Sequence, residues 1–292
     1  MRKQLIETVG KLITDNDKTV LLLGDIGVFG FRKYLENFSD RVYNIGILEQ
    51  STISLSSGLS KTGMIPFVHT ISPFLVERSF EQLKLNFGYQ NLNGNFFSIG
   101  SSYDYASLGP THHCPADVSL LLSIPNFEVI IPGNSKELDL LVNKCYNDGK
   151  PTYFRLSEYE NKYSVDVSFG KANLIKKGTL STIICFGNTL DDVINACEDL
   201  DVTILYYTTI YPFDFELIQE YFNENIIIIE PFYEGTVNFL ITNSIKNKKY
   251  NIKNIGIPRE FLKNYGSKKE HDLNLGLDSK SLKLKIKNYV SN

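Results

Sequence analysis

Two short stretches carry side chains whose types and spacing suit proton chemistry. Gly46-Ile47-Leu48-Glu49-Gln50 sets one carboxyl group just past an expected strand, at the start of an apolar-periodic segment. Gly109-Pro110-Thr111-His112-His113 sets two imidazoles behind a glycine-proline turn. A carboxyl group in apolar surroundings keeps its proton to higher pH, and imidazole titrates near neutrality. Both can therefore give and take protons under ordinary conditions. Glu49 can equally serve only as a first-turn acid that complements the helix dipole. His112 and His113 can equally be loop histidines bonded to backbone. His69 ends another apolar run and is either a cleft-facing imidazole or a polar cap on the strand. His271 stands among Lys268, Lys269, Glu270 and Asp272 and is expected in solvent.

These residues need a frame. Short apolar runs alternate with segments of helical period, the pattern of βαβ units and mostly parallel sheets. Residues 19–23 read as a buried strand that stops at Gly24-Asp25. Residues 41–45, 64–69, 95–99 and 128–131 read as further strands, and Phe154 and Arg155 lie in another strand-like run. Helical spacing predicts helices over 49–61 and about 74–87, and one capped by Ser135 that buries Leu138, Leu141, Val142 and Cys145. A polar stretch over 158–177 reads as a link. Beyond it, 182–186, 202–206 and 226–229 read as strands, with helices over 190–200, 214–222 and 237–245. The expectation is α/β: two parallel-sheet domains, 1–160 and 161–292. Open parallel sheets bind ligands at the carboxyl ends of their strands. Glu49, His69 and the His112 loop all follow such ends and are expected on one rim.

Composition narrows the partners. The 292 residues carry a formal net charge of -3, which argues against a nucleic-acid binder because such proteins need a basic face. No apolar run is long enough to span a bilayer, and no secretory leader is evident, so a cytoplasmic location is expected. Cys114, Cys145, Cys185 and Cys197 are scattered without metal-ligand spacing and are expected as reduced thiols.

Four motifs taken in order resemble one family. They are Gly46-Ile47-Leu48-Glu49-Gln50, Gly109-Pro110-Thr111-His112-His113, Ile124-Pro125-Asn126-Phe127 through Ile131-Pro132, and Gly256-Ile257-Pro258-Arg259-Glu260-Phe261. From about Thr19 onward the chain is similar to the C-terminal half of a transketolase, in the form of the second subunit of a split, two-chain enzyme. The resemblance implies a thiamine-diphosphate pyrimidine-binding domain followed by a transketolase C-terminal domain. It implies a catalytic role for Glu49, whose carboxyl group would hydrogen-bond the cofactor's pyrimidine ring and favour its reactive tautomer. Phe74 and Ile71 would wall that ring, although any one Phe among 19 can be plain core. His112 would face substrate and move protons on sugar oxygens, with His113 and His69 as further substrate-binding candidates. Arg155 is either a phosphate ligand or a structural ion-pair partner. Which of Glu77 and Arg78 faces the ring stays open.

Two departures and one absence qualify the resemblance. Leu108 stands where many transketolases have an acid for a sugar hydroxyl, and Glu158 sits near the place of a phosphate-clamping arginine. The substrate can therefore differ from the usual sugar phosphates. The GDG…N motif that holds Mg²⁺ and the diphosphate is missing, because Gly24-Asp25-Ile26-Gly27 and Asp148-Gly149 do not match it. The expected partner is a diphosphate-binding subunit that supplies this motif and the Mg²⁺ ligands, in an α2β2 assembly. The rivals are the β subunit of a 2-oxo-acid dehydrogenase's decarboxylating component, a deoxyxylulose-phosphate synthase, and a regulatory subunit that keeps the fold without the chemistry.

Overall fold

The computed structural model describes residues 1–290. Apolar runs with no alternation become strands covered on both faces, as in sheets flanked by helices. In the first half these are β1 (Thr19–Leu23), β2 (Val42–Asn44), β3 (Ile65–Ile71), β4 (Gly94–Ile99), β5 (Glu128–Ile130) and β6 (Pro151–Arg155). In the second half they are β7 (Asn173–Lys176), β8 (Thr182–Phe186), β9 (Thr203–Tyr207), β10 (Thr209–Tyr211), β11 (Asn225–Tyr233) and β12 (Asn251–Ile257). Every residue of β1, β3, β4 and β6 is buried.

The first sheet has the order β10-β5-β6-β4-β3-β1-β2 and is parallel except for β10. The second has the order β12-β11-β8-β9-β7 and is parallel except for β7. The α/β expectation with two mostly parallel sheets is met. β10 comes from the second half of the chain and pairs with β5 of the first sheet.

Register decides where the site lies. Leu23 pairs with His69, His69 with Phe97, and Phe97 with Phe154. Four parallel strands thus reach one level together, and the loops that leave them share one rim. The Phe97 and Phe154 rings stack with centroids 4.7 Å apart beneath that level. Burying such a ring is worth roughly 1.5–3 kcal/mol, so the rim rests on a firm floor.

The two halves are tied by polar contacts. Ser102 Oγ donates to the Pro231 carbonyl, as does Arg155 at 3.2 Å. Tyr103 Oη donates to Asp272 Oδ1 at 2.6 Å. Burial and the adjacent Asp272 both push the Tyr103 phenol up, so it stays a donor.

Several elements differ from the sequence reading. The helix expected over 74–87 breaks into Ser72–Val76, Phe80–Gln82 and a π-helical segment, Leu83–Tyr89. The break at 77–79 lets Arg78 turn back toward Glu49. Asn134, not Ser135, caps the helix Ser135–Cys145: its side chain accepts from the Glu137 N–H. The terminal helices Arg2–Asp15, Lys268–Leu275 and Ser279–Val290 were not foreseen. All four cysteines are free and buried. No helix among the described residues is long and apolar enough to cross a membrane.

Candidate active site

The loop after β2 is shaped by Asn44 and Gly46. Asn44 Oδ1 accepts from the N–H groups of Asp25 and Gly46, while its Nδ2 donates to Asp25 Oδ1 at 3.1 Å. Gly46 has φ +81°, which a residue with a Cβ adopts only under strain. The chain then enters the helix Glu49–Lys61, with Glu49 as its first residue. The carboxylate lies in the positive field of the helix N-terminus. It is 3% exposed, yet Ile47 and Leu48 beside it are 63% and 57% exposed.

Glu49 has one partner. Arg78 Nη1 donates to its Oε2 at 2.8 Å. Oε1 of the same carboxylate is buried and has no hydrogen-bond partner. A buried carboxylate oxygen without a donor is costly and uncommon in a folded chain. Arg78 also lies over the Phe74 ring, with its guanidinium carbon 4.2 Å from the centroid. Arg78 is therefore the residue that faces this site. Glu77 points away, toward the Cys114 thiol at 3.6 Å.

From Phe74 a row of contacts continues. The His112 ring stands edge-on to Phe74 at 5.3 Å, and Tyr105 stands edge-on to His112 at 6.3 Å. His112 Nδ1 lies 2.9 Å from Thr111 Oγ1, which fixes the ring's orientation. Tyr105 Oη accepts from Arg2 at 2.8 Å, and Arg2 also donates to Glu158 at 3.2 Å. Glu49, Arg78, Phe74, His112, Tyr105, Arg2 and Glu158 thus form one continuous line. Ile71, the last residue of β3, is buried immediately before the helix that carries Phe74.

Three candidates do not join this line. His69 is 1% exposed beneath the rim, with Nδ1 3.0 Å from the Phe97 carbonyl and Nε2 buried without a partner. Burial pulls its pKa down to about 4, so it is neutral at pH 7. His113 turns the other way, against His271, at 5.7 Å between ring centroids. Burial, then His271, lowers its pKa. Arg155, at the end of β6, is 1% exposed and donates from Nε to Asp117 Oδ2 at 2.7 Å. Its guanidinium is held in the interior by that ion pair, as the ion-pair alternative describes.

His271 is a further correction. It is 3% exposed and packs on Tyr103 at 5.1 Å, because the polar face of its helix docks on the first domain. The cavity behind the turn, about 60 Å³ and lined in part by Glu77, Tyr103, His113 and Phe261, has room for small solvent molecules but not for a heterocycle.

The residues the sequence left out are Arg78 as the partner of Glu49, and Tyr105 and Arg2 at the far end. Arg2 and Tyr105 are 103 positions apart, and no local pattern marks such a pair.

A thiamine-type cofactor fits this chain at the pyrimidine end. The orphaned Oε1 of Glu49 suits a ring nitrogen, and Phe74, which shares Arg78 with Glu49, supplies aromatic surface, while Ile71 is buried in the core just before it. Among the described residues no group of three or more His, Cys, Asp or Glu is arranged to hold a metal ion.

Residues 1–162 match the family model described as "Transketolase, pyrimidine binding domain". The chain belongs to the transketolase pyrimidine-binding family. It is similar to the "Uncharacterized 33.6 kDa protein in fasciation locus" of Rhodococcoides fascians, 37% identical over 96% of this chain and 91% of that one. It is 26% identical to an apulose-4-phosphate transketolase subunit of Phocaeicola vulgatus, over 96% of this chain and 94% of that one. A "1-deoxy-D-xylulose-5-phosphate synthase" of Mannheimia succiniciproducens is 28% identical over 89% of this chain, which spans only 43% of that longer protein. Among solved structures, a chain described as "Split gene transketolase, inactive beta4 tetramer" superposes with a TM-score of 0.88 at 21% identity, over 99% of this chain and 98% of that one. Both expected domains of the fold are therefore present in this transketolase-family chain.

Proposed function

We propose that this chain is the pyrimidine-binding subunit of a two-chain, thiamine-diphosphate-dependent transketolase that moves a two-carbon ketol unit from a ketose to an aldose. The observation that carries this reading is the Glu49 carboxylate: buried, tied on one oxygen to Arg78, and orphaned on the other. The cofactor, when bound, supplies the nucleophilic carbon that the twenty side chains lack. What this chain contributes is the setting. Glu49 Oε1, the oxygen Arg78 leaves free, hydrogen-bonds the ring nitrogen. Phe74 and Ile71 orient the ring and keep water off it. His112, fixed by Thr111 and half-buried beside Phe74, gives and takes protons on substrate oxygens.

The diphosphate, its Mg²⁺ and their GDG…N ligands belong in this proposal to a partner subunit, in an α2β2 assembly. The exposed Ile47 and Leu48 beside a buried acid support it, as does Leu55 on the same side of the helix at 47% exposure. Apolar side chains around a polar centre are what a permanent interface covers. The solved relative described as an inactive β4 tetramer also supports the expectation that the chain is inert without a partner.

The test is reconstitution with a diphosphate-binding chain. Cofactor binding is expected to need both chains. Glu49→Gln is expected to abolish ketol transfer in the complex while assembly survives. Turnover by the isolated chain, or unaltered turnover by Glu49→Gln, would overturn the proposal. A synthase-type reaction is the second reading, supported by the 28% identity to the synthase. It would appear as carbon dioxide release from a 2-oxo-acid donor, which ketol transfer from a ketose does not produce.

A further inference from the structure

The helix Lys268–Leu275 docks on the first domain through very little apolar surface. His271 is the only buried residue of this helix, and Leu273 on it is 53% exposed. Eight residues do not hold a helix in water unaided, so the docking contacts decide whether this one stays in place. Those contacts are polar and aromatic. Tyr103 Oη donates to Asp272, Lys268 pairs with the same carboxylate, and the His271 ring packs on Tyr103 at 5.1 Å. His113 of the first domain stands edge-on to His271 at 5.7 Å. We propose that His113 and His271 form a pH-sensitive latch between the two domains, closed while both imidazoles are neutral and released when either binds a proton. The inference stands apart from the reaction proposed above.

Both Nε2 atoms are buried without a hydrogen-bond partner among the described residues. The Ala106 carbonyl favours a proton on the other nitrogen of His113, so a second proton has to go to Nε2. A buried imidazolium whose N–H meets no acceptor is costly, and here it would also lie against a second imidazole. Burial, then His271, accordingly hold His113 below its ordinary value of 6.5. Undocking relieves both effects, because it wets the rings and separates them. The undocked state therefore binds the proton more tightly. Docking is favoured above pH 6.5 and loses ground as the pH falls below it.

The charged groups around the pair do not offset this. Asp272 is taken by Tyr103 and Lys268. Glu270 accepts from the N–H and Oγ of Ser267 at the start of its own helix. Glu77 accepts from the Cys114 thiol at 3.6 Å, and Glu260 is an exposed residue of the small cavity that His113 lines. Lys268, 5.7 Å from the centre of the Tyr103 ring, adds positive charge on this side, and so does His112 when it is protonated. Burial keeps the Tyr103 phenol and the Cys114 thiol neutral. Asp104, pushed up to about 6 by burial, faces Ser157 and the Glu158 N–H. Its folded form holds a proton more firmly than the unfolded chain does, so its titration works against opening.

Release of the latch reaches the candidate active site. The chain that leads into the helix crosses the turn that carries His112, where Tyr265 packs on Gly109. Phe261 and Leu262 line the small cavity beside Pro110 and His113. Gly276, with φ +66°, ends the helix, and the helix Ser279–Val290 beyond it is anchored in the core by Leu282 and Ile286. Residues 258–276 are thus the stretch that lifts, and lifting them takes support from the turn.

The experiment is hydrogen exchange of the full chain, read on residues 258–276 from pH 7.5 to 5.5 and corrected for the intrinsic pH dependence of exchange. The opening constant of this stretch is expected to rise by about threefold or more across that range, and by at most about tenfold per pH unit for each proton taken up. Magnetic resonance of the imidazole rings is expected to show His113 or His271 titrating as the stretch opens. The double variant His113→Phe with His271→Phe keeps two rings in contact and removes both titrations, so its opening constant should stay flat. His69→Asn should leave the native pH dependence of this stretch unaltered, which separates the latch from the histidine beneath the rim. A flat native profile overturns the inference, as does a native slope retained in the double variant or lost in His69→Asn. Should the double variant fail to fold, the ring titrations decide: opening while both His113 and His271 stay neutral overturns the latch, and opening in step with either supports it.

Discussion

Arg78 donates to Oε2 of Glu49 at 2.8 Å and leaves Oε1 of the same carboxylate without a partner. One side chain thus balances the charge of a buried acid without occupying the atom that would meet a ligand. Arg78 keeps this position because its guanidinium also rests on Phe74, whose ring faces His112 on its other flank. A change at Arg78 is therefore felt at three candidate residues together.

Arg78→Ala is expected to destabilise the chain by about 1–3 kcal/mol, because it leaves a buried carboxylate with no compensating donor. The range is below that for a fully buried pair because Arg78 is itself 43% exposed and partly screened. Adding Glu49→Gln to Arg78→Ala should recover most of the loss, since the charge that needed a partner is gone. Urea titration of the single and double variants measures this. Equal stability of Arg78→Ala and the native chain would show that water alone satisfies Glu49.

Much of the frame is legible in the sequence because parallel strands buried on both faces appear as unbroken apolar runs. Thr19–Leu23 is the plainest example, and the Gly46 turn before Glu49 carries its own signal in a glycine at φ +81°. What was not legible depends on contacts between distant segments. Arg2 reaches Glu158 across 156 positions, and neither residue is marked by its neighbours. β10 lies in the second half of the chain yet pairs with β5, a choice made by sheet-edge pairing and not by local propensity. His271 shows the reverse error. Lysines and acids around it suggest solvent, but Lys268 and Asp272 pair with each other and dock on the same Tyr103 that covers His271.

His69 predicts a pH dependence of stability. Its folded pKa is about 4, against an ordinary value of 6.5. Between those values the unfolded chain binds the proton and the folded chain does not. Stability therefore rises with pH through this window, and lowering the pH from 7 to 4 should remove about 3 kcal/mol through this residue. His69→Asn keeps a donor for the Phe97 carbonyl and removes the titration. Urea midpoints measured from pH 4 to 7 should fall less steeply for the variant. Parallel curves for variant and native protein would refute this assignment.

The Arg155–Asp117 pair predicts a large structural effect. Both side chains are at most 1% exposed, and Asp117 Oδ2 also accepts from Tyr153 Oη at 2.8 Å. Asp117→Asn leaves a buried guanidinium without its counter-charge and should cost about 3–5 kcal/mol. Replacing the two together, Asp117→Leu with Arg155→Met, should recover a substantial part, because neither buried charge then remains. Denaturant titration of the two variants checks this. A mild effect of Asp117→Asn would mean that the Ser102 and Pro231 contacts of Arg155 suffice.

The turn that presents His112 needs a glycine at one position and packs it against one ring. Gly109 has φ +72°, and a Cβ there would lie 2.7 Å from Tyr265 Cε1. Gly109→Ala meets both obstacles, and together they should lower stability by about 1–3 kcal/mol. They also act on His112, whose backbone N–H donates to the Gly109 carbonyl at 3.0 Å. Tyr265→Ala in the same chain removes the ring but not the backbone requirement. If the conformation dominates, Gly109→Ala with Tyr265→Ala stays nearly as unstable as Gly109→Ala alone. If the close contact dominates, the double variant returns toward native stability. Thermal melts of the native chain and the two variants separate these outcomes. In the reconstituted complex, a fall in kcat for Gly109→Ala that the second substitution does not reverse would show that the turn's backbone, and not the Tyr265 ring, sets the position of His112.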